Sequence, residues 1–141
     1  MDCLFNLIAL LRAVQVVHHH AHWTTRGPSF VGDHELFGEL YTAIDPQFDS
    51  LAEKAIAEYG PEVVDMERQL GEMLACVSKW NEIGDLVERS LAAEDGLQKA
   101  IATYRRMLEE KDELPLWLDN FLAQLADDHK TAVYKLQQRN G

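Results

Sequence analysis

Basic residues are scarce in this sequence. Thirteen lysines and arginines stand against 24 aspartates and glutamates, a formal net charge of −11. That balance argues against a surface built to grip phosphates, because nucleic-acid affinity rests mainly on clustered Lys and Arg. It suits an assembly that draws in cations. Long apolar runs are also missing. No stretch approaches the roughly 20 residues that span a bilayer, so no membrane partner is expected. The apolar opening, Leu4 to Val17, is shorter and is interrupted by Asn6, Arg12 and Gln15. It carries no basic leader and no small-residue cleavage site, so a signal peptide is not expected. Only two cysteines are present, Cys3 and Cys76, and they form no close motif. A reduced, cytoplasmic protein is the expectation. Internal repeats and low-complexity linkers are absent, and β-branched runs are short.

What remains is helix-forming sequence at a length that fits one domain, 1–141. Leu4, Leu7, Leu11, Val14 and His18 recur at helical spacing and predict a first helix from about Asp2 to Trp23. The Gly27-Pro28 step breaks it. A second helix, capped by Ser29 or Asp33, runs to about Glu58. Its inner stripe reads Leu36, Leu40, Ile44, Phe48, Leu51 and Ala55, and Pro46 inside it predicts a kink. Tyr59-Gly60-Pro61 closes this segment. A shorter helix follows from Pro61 to about Val77, with Val64, Leu70, Met73 and Leu74 as contacts. A third long helix is predicted over about Asn81 to Glu110 and a fourth over about Leu116 to Gln138. Four long helices and one connecting piece make a bundle pattern.

Histidine is concentrated at one place: His18, His19, His20 and His22, then His34, with His129 apart. Residues four apart share a helix face, as do His18 and His22, and Asp49 and Glu53. Imidazole with carboxylate is a ligand set for iron or zinc. His34 and Asp49 lie fifteen positions apart on one helix, which is about 22 Å at about 1.5 Å per residue. One chain cannot bring them to one ion. His22 can approach His34 across the short loop. Two copies of the second helix, antiparallel about a twofold axis, would set His22 and His34 of one subunit against Asp49 and Glu53 of the other.

The stretch His22-Trp23, Arg26-Gly27-Pro28-Ser29-Phe30, His34-Glu35-Leu36-Phe37, Glu39-Leu40-Tyr41, Asp49 and Ala52-Glu53-Lys54 resembles the signature of the Dps family of mini-ferritins. The strong match covers about residues 15–60. Agreement over Asp127-Asp128-His129-Lys130-Thr131-Ala132 is weaker. The resemblance implies an all-α, ferritin-like four-helix bundle with a short helix between the second and third helices. It implies a ferroxidase centre between subunits, with His22, His34, Asp49 and Glu53 as both catalytic residues and metal ligands. Iron is the implied metal, with zinc as a substitute. Hydrogen peroxide or oxygen is the implied oxidant, and a twelve-subunit homo-oligomeric cage the implied assembly.

Two departures stand out. The family carries an acidic residue four positions after the second histidine, where this chain has Gly38. Glu39 lies roughly 100° further round the helix and is a poor replacement. Gly38→Asp should restore a ligand that the fold tolerates. Many family members also bind DNA through a Lys-rich N-terminal arm; this chain starts directly in its first helix, so DNA binding is not expected. His18 is the first candidate for an extra ligand, although a packed or exposed histidine is the plainer reading. Trp23 reads as a core or interface aromatic, or as an electron donor beside the metal. Asp127, Asp128 and His129 read as a solvated face, or as the lining of an ion pore. Glu-x-x-His pairs of intra-bundle di-iron enzymes are missing, because Gln15, Val16, Val17, His19, Val31 and Ala126 occupy the positions three before each histidine. Two rival readings share the fold: a structural protein, and a divalent-metal binder without redox turnover.

Overall fold

The computed structural model describes residues 2–140. It has five α-helices: α1 Asp2–Thr24, α2 Phe30–Tyr59, α3 Met66–Asn81, α4 Leu86–Glu110 and α5 Leu116–Asn140. A single 3-10 turn, Pro61–Val64, leads into α3. Four long helices with the short α3 in the connection are the predicted bundle. No described helix is long and apolar enough to cross a membrane.

α1 is the axis of the core. It packs against α2, α3 and α4. Leu4, Phe5, Leu7, Ile8, Leu11, Val14 and Val17 are all buried on it. Burying one such side chain stabilises by about 1.5–3 kcal/mol, so this helix contributes more packing energy than any other. Ile44, Leu51 and Ala55 of α2, Leu97 and Ile101 of α4, and Leu118, Leu122 and Leu125 of α5 belong to the same buried cluster. A second cluster around Phe37, Leu40, Val87 and Leu136 closes the end near the α1–α2 loop. That end is also pinned by Arg139, whose guanidinium donates to both carboxylate oxygens of the buried Asp33.

Several boundaries depart from expectation. The connecting segment breaks at Asp65, whose side chain accepts from the backbone N–H of Arg68 and starts α3 there. α3 then continues to Asn81, and α4 begins only at Leu86. Asp85 caps α4 by accepting from the N–H of Glu88. The residues Asp85-Leu86-Val87-Glu88 form a capping-box pattern that a reading based on apolar spacing passes over. Ser29 precedes α2 without a side-chain cap bond, and Asp33 is committed to Arg139. Pro46 lies inside α2, as predicted. Leu70 and Leu74, expected as core contacts, are 53% and 67% exposed.

Candidate metal centre

The α1–α2 loop turns on Gly27, whose φ of +96° lies in the left-handed region that glycine adopts without strain. The turn sets the last turn of α1 beside the first turns of α2. His22 and His34 therefore meet, with rings stacked at a centroid distance of 3.7 Å. Each fixes the other. Nδ1 of His22 donates to the backbone carbonyl of His34 at 2.7 Å, and Nδ1 of His34 donates to the carbonyl of His22 at 2.8 Å. A carbonyl only accepts, so both Nδ1 atoms carry the proton. Both Nε2 atoms of the neutral rings are left with a lone pair. An N–H held by a carbonyl while the opposite nitrogen is free is the arrangement of a metal-ligating histidine.

An aromatic wall surrounds the pair. His19 stacks on Tyr41 at 4.0 Å and lies 4.0 Å from Trp23. Tyr41 meets His22 edge-on at 5.2 Å, and Phe30 lies 4.9 Å from His34. Trp23 is 67% exposed, so it is not a core residue within the chain. Gly38 faces the site as well: a Cβ there would stand 3.2 Å from Cε1 and Nδ1 of His22.

Asp49 and Glu53 are exposed on α2, one turn apart. The unbroken helix keeps Asp49 about 22 Å from His34. Among the described residues of one chain, no three His, Cys, Asp or Glu side chains are arranged to hold a metal. The imidazole pair and the two carboxylates therefore lie apart within one chain.

His18 does not join His22. It is turned into the bundle, where Nδ1 meets the Ser90 hydroxyl at 2.9 Å and Nε2 meets Glu94 at 3.0 Å. His20 is exposed, its Nδ1 3.4 Å from the Arg89 guanidinium. His129 is buried, so it is not part of a solvated face; Asp127 and Asp128 beside it are exposed. Its Nδ1 lies 2.7 Å from Glu94, and its Nε2 2.7 Å from the side-chain oxygen of Gln47. Burial alone would raise the Glu94 carboxyl, but hydrogen bonds and attraction from His129 and His18 outweigh it and hold the group below its ordinary range. The sequence reading did not find Glu94, Ser90 or Gln47. No local motif marks them, since their partners lie 35 to 82 positions away.

These elements define a ferritin-like four-helix bundle with an imidazole pair at the loop end of its first hairpin. Its fold is that of Dps from Thermosynechococcus elongatus, with a TM-score of 0.81 and 19% identity over 99% of this chain and 90% of that one. DNA protection during starvation protein 2 of Bacillus anthracis is 31% identical over 116 residues, 81% of this chain and 68% of the relative. The DNA protection during starvation protein of Brevibacillus brevis is 37% identical over 75 residues, about half of each chain. No family model matches the chain. The chain belongs to the Dps family.

Proposed function

We propose that this chain is a mini-ferritin that binds ferrous ion between two copies, oxidises it, and keeps the ferric product inside a twelve-subunit cage. The observation that carries the reading is the reciprocal bonding of His22 and His34. It presents two imidazole Nε2 lone pairs side by side on a half-buried surface. The substrate ion meets these from one subunit and Asp49 and Glu53 from the partner. Carboxylates favour ferric over ferrous ion, so the acidic half lowers the reduction potential of the bound substrate. Two ions oxidised together balance one peroxide: two Fe(II), one hydrogen peroxide and two protons give two Fe(III) and two waters. Pairing the electrons avoids releasing hydroxyl radical.

The surface supports an assembled state. Met66, Leu70 and Leu74 make an exposed apolar stripe along α3, at 76%, 53% and 67% exposure. Trp23 and Val31, near the imidazole pair, are exposed at 67% and 70%. Apolar groups gathered in this way mark contact surfaces. The formal charge of −11 suits cation uptake and opposes binding to DNA phosphates. Gly38 favours a second reading, a divalent-metal holder without turnover, because it removes one ligand from the centre.

Subunit complementation tests the proposal. His22→Ala and Asp49→Ala should each abolish oxidation of ferrous ion by peroxide, followed by the rise of ferric absorbance. Mixed under conditions of subunit exchange, the two variants should recover part of the rate, since some interfaces regain all four ligands. A mixture that exchanges and stays inactive rules out the shared centre. Metal binding without ferric product in the wild type selects the second reading.

A further inference from the structure

The bundle holds another group of chemistry-bearing side chains, separate from the His22–His34 pair. All four long helices contribute: His18 from α1, Gln47 from α2, Ser90 and Glu94 from α4, and His129 from α5. His18 and Glu94 are 0% exposed and His129 is 3% exposed. Burying a carboxylate costs several kcal/mol unless positive charge meets it. The ion-pair partners of Glu94 are the two imidazoles.

Hydrogen-bond roles then become restrictive. The Gln47 oxygen only accepts, so Nε2 of His129 carries a proton. The neutral ring would then point its Nδ1 lone pair at a Glu94 oxygen 2.7 Å away. Two acceptors at that separation repel, so a shared proton joins them in this arrangement. His18 is placed alike, with its outer nitrogen on the Ser90 hydroxyl, which can donate or accept, and its inner one on the other Glu94 oxygen. Ligating histidines characteristically have the outer nitrogen engaged and the inner one aimed at the ion. Two imidazoles and one carboxylate form a ligand set for non-haem iron and related ions. A cavity of about 390 Å³ opens beside them, lined by Gln47, Glu94, Asp128 and His129. It offers a route in and room for waters to complete the shell.

We propose that His18, Glu94 and His129 form a second divalent-metal site within the bundle, for an ion of the iron or zinc class, entered from this cavity. In the metal-free arrangement the three bond to one another and do not converge on one point. The ion displaces the shared protons to solvent, and Glu94 turns about its soft terminal torsion. Ligands at about 2.1 Å from an ion and at right angles lie about 3 Å apart. The present N···O separations of 2.7 and 3.0 Å match that spacing, but they run to different oxygens of Glu94, so both rings and the carboxylate must turn towards a common point.

Cobalt(II) is the probe, because its visible bands report nitrogen ligation. The full chain carrying His22→Ala, His34→Ala and Asp49→Ala is titrated, so the result does not depend on the first centre. One Co(II) per chain with visible bands is expected, with an anomalous peak between His129 and Glu94 in crystals. Adding His129→Gln should weaken binding at least tenfold. Ser90→Ala, which keeps every ligand and frees only the outer nitrogen of His18, should weaken it about tenfold to a hundredfold. Circular dichroism checks that each variant is folded. A folded triple variant that binds no Co(II), or bands indifferent to both further substitutions, overturns the proposal.

Discussion

Gly38 sits against the imidazole of His22, and replacing it separates two effects. A Cβ there would stand 3.2 Å from Cε1 and Nδ1 of the ring. Favourable carbon contacts begin near about 3.5 Å, so the ring must retreat by a few tenths of an ångström. For stability, two terms oppose. Gly38→Ala gains about 1 kcal/mol of helix propensity. Overpacking costs about 1–3 kcal/mol, towards the low end where one half-buried ring can give way. The net effect is near zero, so the melting temperature should move by only a few degrees. Ligand geometry is less forgiving, because metal distances hold to within about 0.2 Å. The displaced ring also carries the Nδ1 bond to His34. Gly38→Ala should therefore weaken ferrous binding roughly tenfold, about 1.4 kcal/mol. Gly38→Asp imposes the same contact but adds a carboxylate one turn after His34 on the same face. It should raise the ferrous stoichiometry and speed the peroxide reaction. Anaerobic calorimetry and stopped-flow absorbance read both quantities. If the alanine and aspartate variants bind alike, the added carboxylate is no ligand. If wild type already binds two ferrous ions equally tightly, Gly38 leaves no gap to fill.

Three further outcomes are expected. Glu94→Gln should destabilise the fold by about 3 kcal/mol or more, because it removes the charge that pairs two buried imidazoles; replacing His18, Glu94 and His129 together by leucine should cost much less, and equal losses in thermal melts would refute the pairing. Glu94 has a depressed folded pKa, so its contribution is present above the ordinary glutamate value of about 4.3 and is lost as pH falls through the folded value; the advantage of wild type over Glu94→Gln should be full at neutral pH and shrink in acid. A gel shift at physiological salt should leave DNA free, given the charge of −11, and a salt-sensitive complex at sub-micromolar protein would contradict that.

Much of the bundle was legible because apolar spacing alone fixes which face of each helix turns inward. Leu40, Ile44, Leu51 and Ala55 were read this way and are buried. The His22–His34 approach was legible because a short Gly-Pro loop leaves the two helix ends little freedom. Leu70 and Leu74 were misassigned because period marks an apolar face without saying whether this chain or another molecule covers it. The Asn81–Asp85 break was missed because Ile83 and Leu86 continue the apolar rhythm across a boundary set by polar capping. The His18–Glu94–His129 group was invisible for a deeper reason. Its members sit on three helices, and only tertiary packing decides that they share one carboxylate.

The unbroken α2 acts as a ruler with a phase. Each residue added to a helix advances it by about 1.5 Å and turns it by roughly 100°. One residue inserted between His34 and Asp49 would swing both carboxylates off their face while barely changing their reach. Seven would restore the facing direction to within about 20° but displace the acidic half by about 10.5 Å. In the proposed shared centre neither change could be repaired from within the chain, because the other half would belong to a copy carrying the same insertion. That centre would confine length variation to positions outside this fifteen-residue interval, in the loops that end the helix, where neither the phase nor the reach of the ruler is altered.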